Sequence, residues 1–116
     1  ADSMLVRGSI RGFEFRRMVM LFSMMEGDNE IPCAVSSRAM DELEHVPWTK
    51  DDQRDEQFVR LRDRIERTAA RKFQAGALEG TPRGIILRSI DFRDELRGTE
   101  RADSIALAST DSRSRP

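Results

Sequence analysis

The chain has little of what most active sites are built from: one cysteine, Cys33, one histidine, His45, one tryptophan, Trp48, and no tyrosine in 116 residues. A lone cysteine excludes an intramolecular disulfide framework, and one Cys with one His falls short of the about four ligands of a usual zinc site. No metal and no cofactor is expected, and an unpaired thiol fits a reducing cytoplasm. Long apolar runs are missing too. The longest, MVMLFSMM at 18–25, is broken by Ser23 and lies far below the roughly 20 residues that cross a bilayer, so no membrane span is expected. The start, ADSMLVRGS, lacks the apolar centre of a signal peptide. Charge of one sign is also absent. Twenty Lys+Arg against 21 Asp+Glu leave a net charge of −1, which supplies no overall field for nucleic acid, anionic lipid or acidic substrates.

What is present is one domain's worth of chain, 35% charged and 38% hydrophobic, enough for a single modest core. Residues 1–12, with Gly8 and Gly12 and no clear period, read as a lead-in able to supply a short pairing segment. FEFRRMVMLFSMM (13–25) reads as a strand, and Gly27, Asp28 and Asn29 form a hairpin turn, because Gly and Asn tolerate positive φ. EIPCAVS alternates with period two, so Ile31, Cys33 and Val35 face one way and Pro32, Ala34 and Ser36 the other. Pro32 lacks an N–H, which places its strand at an edge or Pro32 near the strand's beginning.

Ser36 or Ser37 can cap a short helix, RAMDELE, that buries Met40 and Leu43 and ends at His45-Val46-Pro47. Thr49 with Asp52 reads as a capping box opening a long helix from about 51 to 75, acidic at its start and basic at its end. Phe58, Leu61, Ile65, Ala69 and Phe73 recur at steps of three and four and define its buried face. Glu56 with Arg60 and Asp63 with Arg67 are spaced as i, i+4 pairs, and Gly76 is a stop signal. GIILRSIDF reads as a third strand. The fold class expected is α+β: a small antiparallel sheet of three or more strands, with a short helix and one long amphipathic helix on one face. Residues 13–92 make that single domain, and 93–116, charged and rich in Ser and Thr, read as a flexible tail.

With these elements in order, VMLFSMMEGDNEIPCAVSSRAMDEL, FVRLRDRIERTAARKF and GIILRSIDF resemble a small bacterial family catalogued as domain of unknown function 1488, over roughly residues 18–92. The resemblance implies a small antiparallel sheet with a helix packed across it. It carries no activity, cofactor or catalytic residue.

The candidate sites divide into chemical and interaction readings. Cys33 as a nucleophile with His45 as base would make a thiol-dependent enzyme; against it, alternation puts Cys33 among core residues with no neighbouring Lys or Arg in sequence. The carboxylate pairs Asp41/Glu42, Asp51/Asp52 and Asp55/Glu56 fall at helix starts and exposed faces, and EGTPRG lacks the spacing of a phosphate loop. Arg60, Arg64, Arg67 and Arg71 with Lys72 could track a phosphate backbone, but acidic residues interrupt them and stacking aromatics are scarce. Trp48 reads as a lid over the core or as an interface anchor, the lid preferred. The sheet would carry apolar residues on both faces, with Val19, Leu21 and Ile86 opposite the helix, which calls for a homodimer or another protein partner. The expectation is a non-enzymatic interaction or regulatory domain that self-associates. The alternatives are a nucleic-acid-binding accessory protein and the Cys33 enzyme.

Overall fold

The structure, a computed structural model, describes residues 5–93. Four strands, β1 (Leu5–Glu14), β2 (Val19–Glu26), β3 (Asn29–Ser36) and β4 (Ile85–Leu87), form one sheet in the order β1-β2-β3-β4. Between β3 and β4 lie α1 (Ser37–Leu43) and α2 (Arg54–Gln74), the latter preceded by a 3-10 turn, Asp51–Gln53. A second 3-10 turn, Ser89–Phe92, follows β4. The α+β class and the long helix are as the sequence predicts. The tail expected from residue 93 lies, beyond Arg93, outside the described residues.

Three local details differ from expectation. Residues 5–12, read as a lead-in, form most of β1, and the segment 13–25 is two strand pieces separated by the turn Phe15–Met18. That turn has none of the usual turn residues: Met18 takes the positive φ (55°), and an Arg17–Glu14 ion pair spans it. The regular alternation of β1 is broken by register shifts between Arg7 and Ile10 and between Ile10 and Gly12, where Gly12 adopts φ 123°. Thr49 and Asp52 form no capping box; the start of α2 has no side-chain cap, and the Thr49 hydroxyl donates to Asp41 instead. The last strand pairs with β3 in parallel, Cys33 opposite Ile85 and Val35 opposite Leu87, so the sheet is mixed. The connection through α1 and α2 is the long crossover that parallel neighbours need. It also makes β3 an interior strand. Pro32 is tolerated because it lies one residue outside the β4 ladder.

The helix ends follow from local chemistry. Ser36 Oγ accepts from the Ala39 N–H at 3.1 Å and caps α1. Its other end closes when His45 enters the left-handed region (φ 58°), with His45 N–H to Glu42 O (3.1 Å) and Val46 N–H to Asp41 O (3.0 Å), a Schellman pattern. Gly76 (φ 73°) closes α2 in the same way.

The inner face of the sheet, Met20, Phe22, Met24, Cys33, Val35, Ile85 and Leu87, packs against Phe58, Leu61, Ile65 and Ala69 of α2, with Met40 and Leu43 of α1 at the side. The predicted helix stripe is thus the buried one, although Phe73 is only partly covered. The predicted pairs within α2 are replaced by contacts to other elements. Arg60 binds Glu44, with Glu56 acting only at longer range, and Asp63 is met by Arg7 of β1.

Candidate functional site

Strand alternation that buries Met20, Phe22, Cys33, Val35, Ile85 and Leu87 turns Val19, Leu21, Ala34 and Ile86 to the opposite face, which neither helix covers. These four aliphatic side chains floor a trench. One wall is Ser36, the cap of α1, with Arg38 and Glu42 from the two ends of that helix, continued by Arg88, Ser89, Ile90 and Arg93 after β4. The main hollow measures about 910 Å³. It continues over Arg17, Ala34 and Ile86 into a smaller recess of about 180 Å³, walled by the 79–84 turn with Thr81 and Pro82. That turn sits tight on the sheet because Gly84 lies against the Pro32 backbone; a Cβ there would be 2.2 Å from the Pro32 carbonyl oxygen.

The rim is cationic. Arg17, Arg38, Arg88 and Arg93 surround the floor, with Glu42 as the acidic residue of the main hollow and Glu79 that of the recess. Arg17 donates through Nε to Glu14, and Arg38 Nε donates to Glu42 at 3.3 Å. Arg88 grips Glu79 with both terminal nitrogens (3.0 and 3.2 Å), while its N–H donates to Asp91 at 2.7 Å. These hydrogen bonds raise the pKa of Arg17 and Arg88 and lower those of Glu14 and Glu79. Behind the wall, Lys72 Nζ donates to Ile86 O (2.6 Å) and Asp91 (3.1 Å), pinning the chain after β4 to α2.

Of the residues singled out from sequence, Val19, Leu21 and Ile86 are brought together here. Trp48 is not. Its indole is 62% exposed on the loop between α1 and α2, so it is no lid over the core. Cys33 is buried in the core, its thiol donating to Ile31 O at 3.4 Å. Burial pushes its pKa up to about 12, against a smaller lowering from the Met24 backbone, so the thiol stays protonated near neutrality. The basic residues of α2 are engaged within the protein: Arg60 with Glu44, Arg64 with Leu43 O, Arg71 with Thr68, and Lys72 as above, while Arg67 lines a shallow recess beside Asp63 and Glu66.

Sequence reading missed one buried site altogether. Arg54, the first residue of α2, is 1% exposed. Its guanidinium binds Asp41 (2.7 and 3.3 Å) and Gln57 Oε1 (2.7 Å) and lies 5.6 Å from the centre of the Phe13 ring, while Nε has no hydrogen-bond partner. Gln57 Nε2 and the Thr49 hydroxyl also donate to Asp41, and Gln57 reaches Glu44, which holds Arg60. Asp41 therefore belongs to the interior and not to an exposed acidic face. The signal was available: Arg54 heads the stripe that continues through Phe58, Leu61 and Ile65.

The network carries a pH dependence. Burial, the largest influence on Asp41, pushes its carboxyl up, but hydrogen bonds from Arg54, Gln57 and Thr49 together outweigh it and leave the pKa below the ordinary 3.8. The Arg60 hydrogen bond, against burial, lowers Glu44 below 4.5. Both folded values lie beneath the unfolded ones, so the stabilisation is complete above the unfolded values and lost as pH falls through the folded ones. Urea midpoints should be nearly flat above about pH 6 and drop below about pH 4. Glu44→Gln should make that acid limb shallower; an unchanged limb would mean that Glu44 does not contribute.

Among the described residues, no group of three or more His, Cys, Asp or Glu side chains is arranged to hold a metal ion, and no helix is long and apolar enough to cross a membrane. Fold and surface together define a small α+β domain, a mixed four-stranded sheet with two helices on one side and an arginine-rimmed trench on the other. The chain belongs to the family described as Protein of unknown function (DUF1488), whose model matches residues 8–85. It is similar to the crystal structure of a DUF1488 family protein of unknown function from Shewanella loihica PV-4, with a TM-score of 0.65 at 13% identity, covering 76% of this chain and 97% of that one. At that identity the likeness concerns the fold. No curated protein matches the chain.

Proposed function

We propose that the protein is a small non-enzymatic interaction domain whose working surface is the outer sheet face. The observation that supports this reading is an aliphatic floor that neither helix covers, with Leu21 and Ile86 half-buried on it, Val19 and Ala34 buried at its base, and walls on two sides. Apolar concavities with polar rims are where proteins take up partners. A photo-crosslinking residue at Ile90, 61% exposed on the wall, should give discrete adducts in the native cell, and one at Val59, 57% exposed on α2, should not. No adduct from Ile90, or equal adducts from both, would overturn the reading.

Self-association is a second reading, supported by a different surface. β1 is an edge strand of 10 residues, and Val6, Phe15 and Met18 are exposed beside it. Two such edges can pair into one continuous sheet. Light scattering at micromolar concentration should give twice the chain mass, reduced to a monomer by Val6→Lys with Phe15→Lys; a monomer mass for the unaltered chain would sink this reading.

A further inference from the structure

We propose that the trench receives an extended segment of a partner protein in which aliphatic and acidic residues alternate, an inference that rests on reading the trench as the working surface. Shape is the first argument. The floor crosses β2, β3 and β4, and the hollow of about 910 Å³ runs on through Arg17, Ala34 and Ile86 into the recess beside Pro82. A long, open channel of this kind fits an extended chain better than a compact ligand, and an extended chain directs every second side chain downward. Aliphatic side chains at those positions meet Val19, Leu21, Ala34 and Ile86.

Charge decides what the intervening side chains should be. Four arginines and two glutamates, Glu42 and Glu79, line the trench and its recess, a balance that still favours an anionic partner. Among the described residues, Arg17 and Arg38 each use only Nε, in their pairs with Glu14 and Glu42, and there the terminal nitrogens of both guanidinium groups can meet a second carboxylate. The side chain of Arg38 is 84% exposed, and solvent-exposed pairs of this type are worth only about 0–1 kcal/mol, so an incoming carboxylate can share or replace the resident one.

The same observations count against other occupants. A floor of Val, Leu, Ala and Ile gives nucleic-acid bases no aromatic platform on which to stack. A second copy applied face to face would set one cationic, concave rim against another, and two-fold pairing requires a patch that complements itself. Residues 94–116, which follow Arg93 in sequence, include Ile105 and Leu107, but their five acidic and four basic residues nearly cancel, which matches a cationic rim poorly.

The test is fluorescence anisotropy on the full chain with a labelled 12-residue peptide, (Leu-Glu-Ile-Asp) repeated, against versions with Lys for the acids and Ser for the aliphatics. The acidic-aliphatic peptide should bind saturably, and both other versions about tenfold or more weaker, a difference of ~1.4 kcal/mol. Arg38→Glu with Arg93→Glu should cost about tenfold in affinity, leave the circular dichroism spectrum unchanged, and flatten the salt dependence. Equal binding of the acidic and lysine peptides, or no saturable binding of any, would overturn the proposal, while adducts from Ile90 would still report separately on the surface. A rise in affinity on Ile105→Ser with Leu107→Ser would make the chain's own segment the occupant. Tighter binding of a 12-mer single-stranded oligonucleotide, lost in the same arginine variant, would assign the trench to nucleic acid. A dimer mass abolished by Ile86→Lys would assign it to a second copy.

Discussion

Arg54→Ala is expected to lower the unfolding free energy by about 3–5 kcal/mol, seen as an earlier urea midpoint with little change in slope. The guanidinium is almost wholly withdrawn from water and holds Asp41 through two hydrogen bonds. Removing it leaves the Asp41 carboxylate buried with only neutral donors, Thr49 and Gln57, and opens a void at the head of α2. The loss is mainly that of an uncompensated charge, so adding Asp41→Asn should recover part of it. A deficit under about 1 kcal/mol for the single variant would show that water reaches the site readily.

Phe58→Ala should be comparably severe, about 3–5 kcal/mol. The ring is fully buried at the centre of the inner face, its centroid 5.0 Å from that of Phe22, and the Arg62 guanidinium covers it at 5.8 Å. Truncation loses the transfer energy of the ring and leaves a cavity that the surrounding strands, fixed by their ladders, cannot collapse to fill. Val59→Ala, one residue on and 57% exposed, should fall within about half a kcal/mol of the unaltered protein. Similar losses for the two would mean that α2 presents a different face.

Why some of this was legible follows from how far apart the cooperating residues lie. The register of α2 is written in its own spacing, and the β2–β3 hairpin in Gly27, which takes φ 58° in a two-residue turn. β1 was hidden because its bulges interrupt the alternation that identifies a strand, and because the turn after it uses Phe, Arg and Met where Gly or Asn is usual. The floor of the trench could be read from strand parity, since Val19, Leu21 and Ile86 oppose the core residues beside them. Its walls could not, because Arg38 and Arg88–Arg93 meet only once the crossover has brought β4 home. Arg54 was not singled out although its spacing placed it on the buried stripe; a lone arginine among so many gives no hint that it has a carboxylate waiting in the interior. The direction of β4 was equally invisible, as three aliphatic residues pair in either sense.

That parallel strand has a kinetic consequence. β1, β2 and β3 are joined by short turns and can zip together early, at little cost in chain entropy. β4 must return over some fifty positions to lie beside Cys33, and it gains only a three-residue ladder on arrival. Non-local closure of this kind comes late and is the first to reopen, so the amides of Ile85–Leu87 should exchange with solvent ahead of those in β2. Each reopening removes Ile86 from the trench floor and uncovers the free side of β3, a strand edge able to recruit another chain. Whatever occupies the trench in the cell would hold that gate shut, so occupancy would slow aggregation as well as report recognition.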